Sequence, residues 1–288
     1  MGTAGDGPPE ALDAALGYGL THGANIVDTA ANYRGGQAES IVGAVLRRLS
    51  EHDELSRDEV VLVTKGGYLL PGEDSAGRRH SIEPDSLTLQ LRRSVNRLTV
   101  TCLDVYLLHN PEDRLLEGDR SQFDAELRRA FEFLEQACDR GLVASYGVAT
   151  WHGLRVAPDH RLHLDLAGLK RLAREAAGGE DRFRFVELPI STHAPEALLD
   201  LQRSPGGLVS PLAAAGELGL SVLASAVLGG PRAARGTDGR AATRVARSVP
   251  GITSALVGAG RLSHAVALIA AAGEPRLDLD RLAAALTR

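Results

Sequence analysis

The sequence predicts an α/β fold, a (β/α)8 TIM barrel whose first strand is short or truncated. Short apolar runs start at Asn25, Val60, Leu103, Val143, Phe183, Leu220 and Ser254, and a helical segment joins each to the next. Such alternation favours parallel strands, and seven or eight repeats favour a closed barrel over an open sheet. A chain of 288 residues, 44% of them hydrophobic, supplies the core of one such domain spanning residues 1–288.

The helix Glu10–His22 presents Leu12, Ala15, Leu16 and Leu20 on one face and stops at Gly23, ahead of strand Asn25–Val27. Helix Glu39–Leu49 ends on Arg47 and Arg48, where the dipole favours cations. After strand Val60–Val63 comes a polar, glycine-containing loop, Gly66–Ser81, of the kind that lines sites. Pro84 opens a helix with the stripe Leu87, Leu91, Val95 and Leu98. Strand Leu103–Leu108 follows, and then helix Phe123–Arg140, closed by Gly141. Strand Val143–Val148, helix Leu164–Ala177, strand Phe183–Leu188, a helix over Leu212–Leu218 and strand Leu220–Ala224 keep the rhythm. A Gly/Arg/Ala-rich loop, Gly229–Arg240, leads through helix Ala241–Arg247 to strand Ser254–Val257, and helices Leu262–Ala271 and Leu279–Leu286 finish the chain. One place remains for an eighth strand, the stub Met1–Ala4.

Composition narrows the function classes. A net charge of -5 and the lack of a long Lys/Arg run argue against nucleic-acid binding. No run of 18 apolar residues predicts a membrane span, and the first residues lack the apolar stretch of a signal peptide. Cys102 and Cys138 have no CxxC partner and read as small apolar residues in a reducing compartment, so a cytoplasmic protein is expected. The stretches His52-Asp53-Glu54 and Asp159–His163 carry ligand-type side chains away from the expected active rim; solvated loops are the simpler reading, and no metal site is predicted.

Catalytic groups of such barrels sit at the carboxyl ends of the strands, so Asp28, Lys65 and His109, ending barrel strands two, three and four, should converge, with Tyr33 folding back over them. This set suits proton donation by a phenol. A free tyrosine has a pKa of about 10, too high for an efficient acid near neutrality. An ammonium at about 4 Å supplies up to roughly 4 kcal/mol at an effective dielectric of about 20, or about three pKa units. Lys65 could lend this to Tyr33, with Asp28 holding Lys65 and His109 fixing a substrate oxygen. Tyr68, Asn110 and Trp151 fall just beyond strand ends, where loops wall a substrate pocket. Specificity should lie in the loops Gly66–Ser81, Pro111–Ser121 and Trp151–His163.

Asp28-Thr29-Ala30 with Tyr33, Thr64-Lys65, Leu103 through Pro111, Gly141 to Gly147-Val148, and Pro250 through Gly258 together resemble the aldo-keto reductase family, in order over nearly the whole chain. The resemblance implies a barrel that binds NADPH, with NADH as the alternative, extended across the strand ends without a Rossmann fold. Hydride would pass to the carbonyl carbon of a small aldehyde or ketone while Tyr33 protonates the oxygen. It also implies cofactor contacts at Thr3, Thr150, Glu187, Ser225, Leu228, Gly258 and Arg261.

The chain departs from the family pattern at some of these positions. Ala149-Thr150 stands where a Ser-Asn pair is usual, Glu187 where a glutamine is usual, and Leu268 where an asparagine meets the adenine. Gly258-Ala259-Gly260 imitates the start of a dinucleotide fingerprint, yet too few residues remain for a βαβ unit. The same backbone could present N–H groups to a phosphate at a helix N-terminus. Two other readings use the same residues: a redox-neutral acid–base enzyme performing elimination or isomerisation without nicotinamide, and a regulatory barrel that binds a nucleotide.

Overall fold

The structure, a computed structural model, describes residues 1–5, 7–73, 77–230 and 237–286. Parts of two predicted loops, residues 74–76 and 231–236, lie outside the described residues.

Seven parallel strands form one sheet: β1 (Ile26–Asp28), β2 (Val61–Gly66), β3 (Leu103–His109), β4 (Val143–Ala149), β5 (Phe183–Pro189), β8 (Ser221–Ser225) and β9 (Ser254–Ala255), in that spatial order. The stub expected at Met1–Ala4 closes the ring. Gly2 bridges Asp28 on one edge and Gly258 on the other, through Gly2 N–H to Val257 O at 3.0 Å, Thr3 N–H to Asp28 O at 3.0 Å and Asp28 N–H to Met1 O at 2.7 Å. The first barrel position is therefore a single bridging residue, and β1 fills the second.

Helices α1 (Pro9–Thr21), α2 (Ala38–Glu51), α3 (Pro84–Leu98), α4 (Arg114–Glu117), α5 (Arg120–Asp139), α6 (Leu166–Ala177), α7 (Pro211–Glu217), α8 (Gly239–Ser248), α9 (Leu262–Ala272) and α10 (Leu279–Leu286) connect the strands. Their termini follow local chemistry. Proline opens α1, α3 and α7, where its missing N–H costs nothing, and the Asp119 and Asp165 side chains accept from Gln122 N and Gly168 N at the starts of α5 and α6. An antiparallel hairpin, β6 (Gln202–Ser204) with β7 (Gly207–Val209), was not expected; its alternation is too short to register as a period.

Strand alternation divides the core in two. Val27, Leu62, Tyr106, Leu108, Tyr146, Val148, Val186, Leu188 and Val222 point outward onto helix residues such as Leu16, Val45, Leu91, Phe131 and Leu169. Val63, Val105, Leu107, Ala149, Leu223 and Leu256 fill the barrel interior, with Ile26, Val61 and Phe185 packed against them. Two residues further along the same faces stand Asp28, Lys65, His109, Glu187 and Ser225. The polar layer is thus the top storey of an apolar interior column.

Gly147 marks the tightest point of that column. A Cβ there would lie 1.8 Å from Phe185 O and 2.7 Å from its carbonyl carbon, at the place where the β4–β5 register shifts. Strand backbone cannot yield that distance. Gly147→Ala is expected to cost more than about 2 kcal/mol, read as a lowered urea midpoint.

Candidate active site

At the carboxyl rim, the Lys65 side chain is fully enclosed. It donates to Asp28 Oδ1, to Thr29 O at 3.2 Å and to the Tyr33 hydroxyl at 3.3 Å, and its ammonium also lies 5.0 Å from the Tyr33 ring centroid. His109 meets Tyr33 edge-on with ring centroids 5.8 Å apart. Phenol, ammonium, carboxylate and imidazole therefore gather at one mouth.

The parallel register brings them there. Asp28 pairs with Val63 and Lys65 with Leu107, so each strand end is offset slightly from the next. Tyr33 is placed by a 3-10 turn over Tyr33–Gly36, in which Arg34 (φ 53°) and Gly35 (φ 64°) are left-handed. The chain leaves β3 through Asn110, also left-handed at φ 47°, a conformation asparagine tolerates.

Glu187 joins this group from β5, its Oε2 3.3 Å from Lys65 Nζ. Burial, then the Asp28 charge, push its carboxyl up to about 8. Burial draws the Lys65 ammonium down, but Asp28 and Glu187 together outweigh it and raise its pKa, so the lysine stays charged. Burial, then Lys65 and His80, hold His109 well below the usual imidazole range, leaving a neutral ring at pH 7. For Tyr33 the balance differs from the sequence expectation. Lys65 does pull the phenol down, yet loss of hydration outweighs it, and the Asp28 and Glu187 charges oppose it too, so the net pKa is raised.

Around the mouth, Tyr68 donates to Asp113 Oδ2 at 2.5 Å and accepts from Asn110 Nδ2 at 2.9 Å, with its ring edge-on to His109 at 4.9 Å. His80 Nε2–H donates to His109 O at 2.7 Å. Trp151, 41% exposed, lies against Gly230, where a Cβ would come within 3.4 Å of its ring.

The positions expected to meet a cofactor are disposed unequally. Thr3 is buried with its hydroxyl unpartnered, Gly258 pairs with Gly2 beside it, Ser225 ends β8 and Leu228 follows it, both partly exposed, and Arg261 is exposed at the start of α9. Of these, Ser225 and Arg261 present polar side-chain groups at the surface, while the Thr3 hydroxyl is enclosed without a partner. The Thr150 hydroxyl is partnered: it donates to Glu112 Oε1 at 2.5 Å and accepts from Gly153 N–H at 2.7 Å.

Glu112 was not singled out in the sequence, although it lies in the Pro111–Ser121 loop expected to carry specificity. It is fully buried, and Oε1 also accepts from the backbone N–H groups of Trp151, His152 and Gly153 at 3.0, 2.9 and 3.2 Å. The loop after β3 thereby holds the loop after β4.

Fold and site together define a parallel barrel with an acid–base cluster at its carboxyl rim. Residues 2–160, more than half of the chain, match the Aldo/keto reductase family, and the chain belongs to it. It is 32% identical over 94 residues to an NADH-specific methylglyoxal reductase of Escherichia coli (strain K12), over 30% of this chain and 27% of that protein. It is 28% identical over 137 residues to a probable voltage-gated potassium channel subunit beta of Arabidopsis thaliana, over 47% of this chain and 36% of that one. The chain spans about a third of the length of these curated relatives. Among solved structures, an aldo-keto reductase from Klebsiella pneumoniae in complex with NADPH superposes with a TM-score of 0.68 at 24% identity, covering 99% of this chain and 88% of that one. An aldose reductase from Giardia lamblia does so at 0.68 and 17%, covering 100% and 90%. These likenesses bear on the fold.

Two outcomes are expected. Glu112→Ala removes the acceptor for one hydroxyl and three backbone N–H groups; a loss of about 3 kcal/mol in chemical denaturation should accompany faster hydrogen exchange at residues 151–153. Glu187 has a folded pKa raised from 4.5 to about 8, so its contribution to stability is present at low pH and lost as pH rises through that window. Melting of the wild type and Glu187→Gln at pH 5 and pH 9 should show the variant gaining on the wild type at the higher pH.

Proposed function

We propose that the chain is a nicotinamide-dependent oxidoreductase reducing an aldehyde or ketone, with Tyr33 as the general acid. The observation that carries this is the contact of the Tyr33 hydroxyl with a fully enclosed Lys65 that Asp28 holds in place. A bound nicotinamide would supply hydride to the carbonyl carbon. Thr3, Ser225, Gly258 and Arg261 would hold that cofactor; the Thr3 hydroxyl is buried without a partner and the Arg261 side chain is exposed. The names of the relatives support a nicotinamide: one is described as NADH-specific, and one solved neighbour holds NADPH.

The residues divide the proton work. As negative charge develops on the carbonyl oxygen, the Tyr33 O–H donates to it, and the phenolate left behind is held by the Lys65 ammonium. Asp28 keeps that ammonium charged and aimed. His109, neutral, offers a ring N–H that orients the carbonyl oxygen without competing for the proton. Tyr68 and Trp151 wall the entrance and exclude water. The raised pKa of Tyr33 in the free protein means that the developing oxyanion, rather than Lys65 alone, must draw the proton.

Two observations favour a second reading, a redox-neutral elimination or isomerisation: the Thr150 hydroxyl is occupied by Glu112, and Glu187 faces Lys65. A single experiment separates the two. NADPH and NADH are titrated by fluorescence and a carbonyl panel is assayed with and without cofactor. Saturable binding with cofactor-dependent turnover is expected, and Tyr33→Phe should lower kcat by about 100-fold or more without weakening cofactor binding. Turnover that persists without nicotinamide would transfer the proposal to the redox-neutral reading, and neither binding nor turnover would defeat it.

A further inference from the structure

The Lys65 ammonium has three protons, and four oxygens claim them. Asp28 Oδ1, Thr29 O and the Tyr33 hydroxyl each accept a hydrogen bond; Glu187 Oε2 sits 3.3 Å away as an ion-pair partner but is buried without a hydrogen bond. With Glu187 ionised, three protons cannot give each of the four oxygens a hydrogen bond of its own. Thr29 O is backbone and Asp28 forms an ion pair with Lys65, so the acceptor that gives way to Glu187 is the uncharged Tyr33 hydroxyl. We propose that Glu187 is a positioning residue of the acid–base cluster, a second carboxylate that competes with Tyr33 for the Lys65 ammonium and so sets how much positive charge Lys65 lends to the phenol.

Among the described residues, Lys65 is the one cation that acts on Glu187. Asp28 from β1, Lys65 from β2 and Tyr33 from the loop after β1 are the ionisable groups that act on it or that it acts on, and its register partners on β4 and β8 are Ala149 and Leu223. Protonated, it releases Lys65 to Tyr33; ionised, it adds negative charge beside the phenol. With a carboxyl pushed up to about 8, the exchange falls near neutral pH. A glutamine at this position would keep an acceptor oxygen but lack the negative charge and its pH dependence.

The inference rests on Tyr33 being the proton donor, but its test needs no turnover. The protein has five tyrosines, so tyrosinate absorbance is followed from pH 7 to 13 in the wild type, and Tyr33→Phe identifies the Tyr33 transition by difference. In Glu187→Gln that transition should move to lower pH by about one unit or more; an unmoved transition overturns the proposal. Glu187→Met, also uncharged and close in size, replaces a glutamine variant that fails to fold. Should neither fold, 13C-glutamate NMR of the wild type and Tyr33→Phe reads Glu187 directly. An ordinary carboxyl pKa unaffected by Tyr33 overturns the proposal, and an elevated one that shifts in the variant supports it. A shifted Tyr33 transition in a protein without turnover would defeat the reductase reading and leave this one standing.

Discussion

A buried ammonium is the constraint on which the site is built. Lys65 has no exposed side-chain surface, and an uncompensated charge in such a place would lose its proton or unfold the strand end. Asp28 supplies the compensation, and breaking a buried pair of this kind typically costs about 3–5 kcal/mol. That pairing holds only if β1 and β2 are in register, which in turn requires the helices α1 and α2 to pack their leucines and valines behind them. Stability and chemistry are thus coupled through one side chain.

The barrel interior explains why the polar groups collect at a single level. Parallel strands with alternating faces stack apolar residues in layers, and the last inward position of each strand is the first that water or a ligand can reach. Asp28, Lys65, His109 and Glu187 occupy that position on four strands. The Gly2 bridge is the smallest element able to close the ring between Asp28 and Gly258, and with it Thr3 is carried to the same level.

Loops above this level are braced by carboxylates. Asp113 fixes Tyr68, and Glu112 gathers the backbone of residues 151–153, so Trp151 and Tyr68 are both held by the turn that follows His109. The cost is the Thr150 hydroxyl, which serves the brace and not the mouth. Wall and catalytic imidazole are therefore tied to one short segment, and a change there would move several contacts at once.

Much of this was legible from residue order alone. Apolar periodicity located all seven sheet strands and the main helices, because burial of a face imposes a spacing that survives without the rest of the molecule. Asp28, Lys65 and His109 could be singled out because each is an ionisable side chain at the end of an apolar strand, and Tyr33 because it lies close enough after Asp28 to fold back over them. What spacing could not show was which acceptors an ammonium chooses, that Glu187 would turn toward Lys65, that Glu112 would take the Thr150 hydroxyl, or that burial would outweigh Lys65 in setting the Tyr33 proton. Those outcomes depend on distances between strands far apart in the chain and on the water excluded between them, quantities that exist only once the barrel has closed.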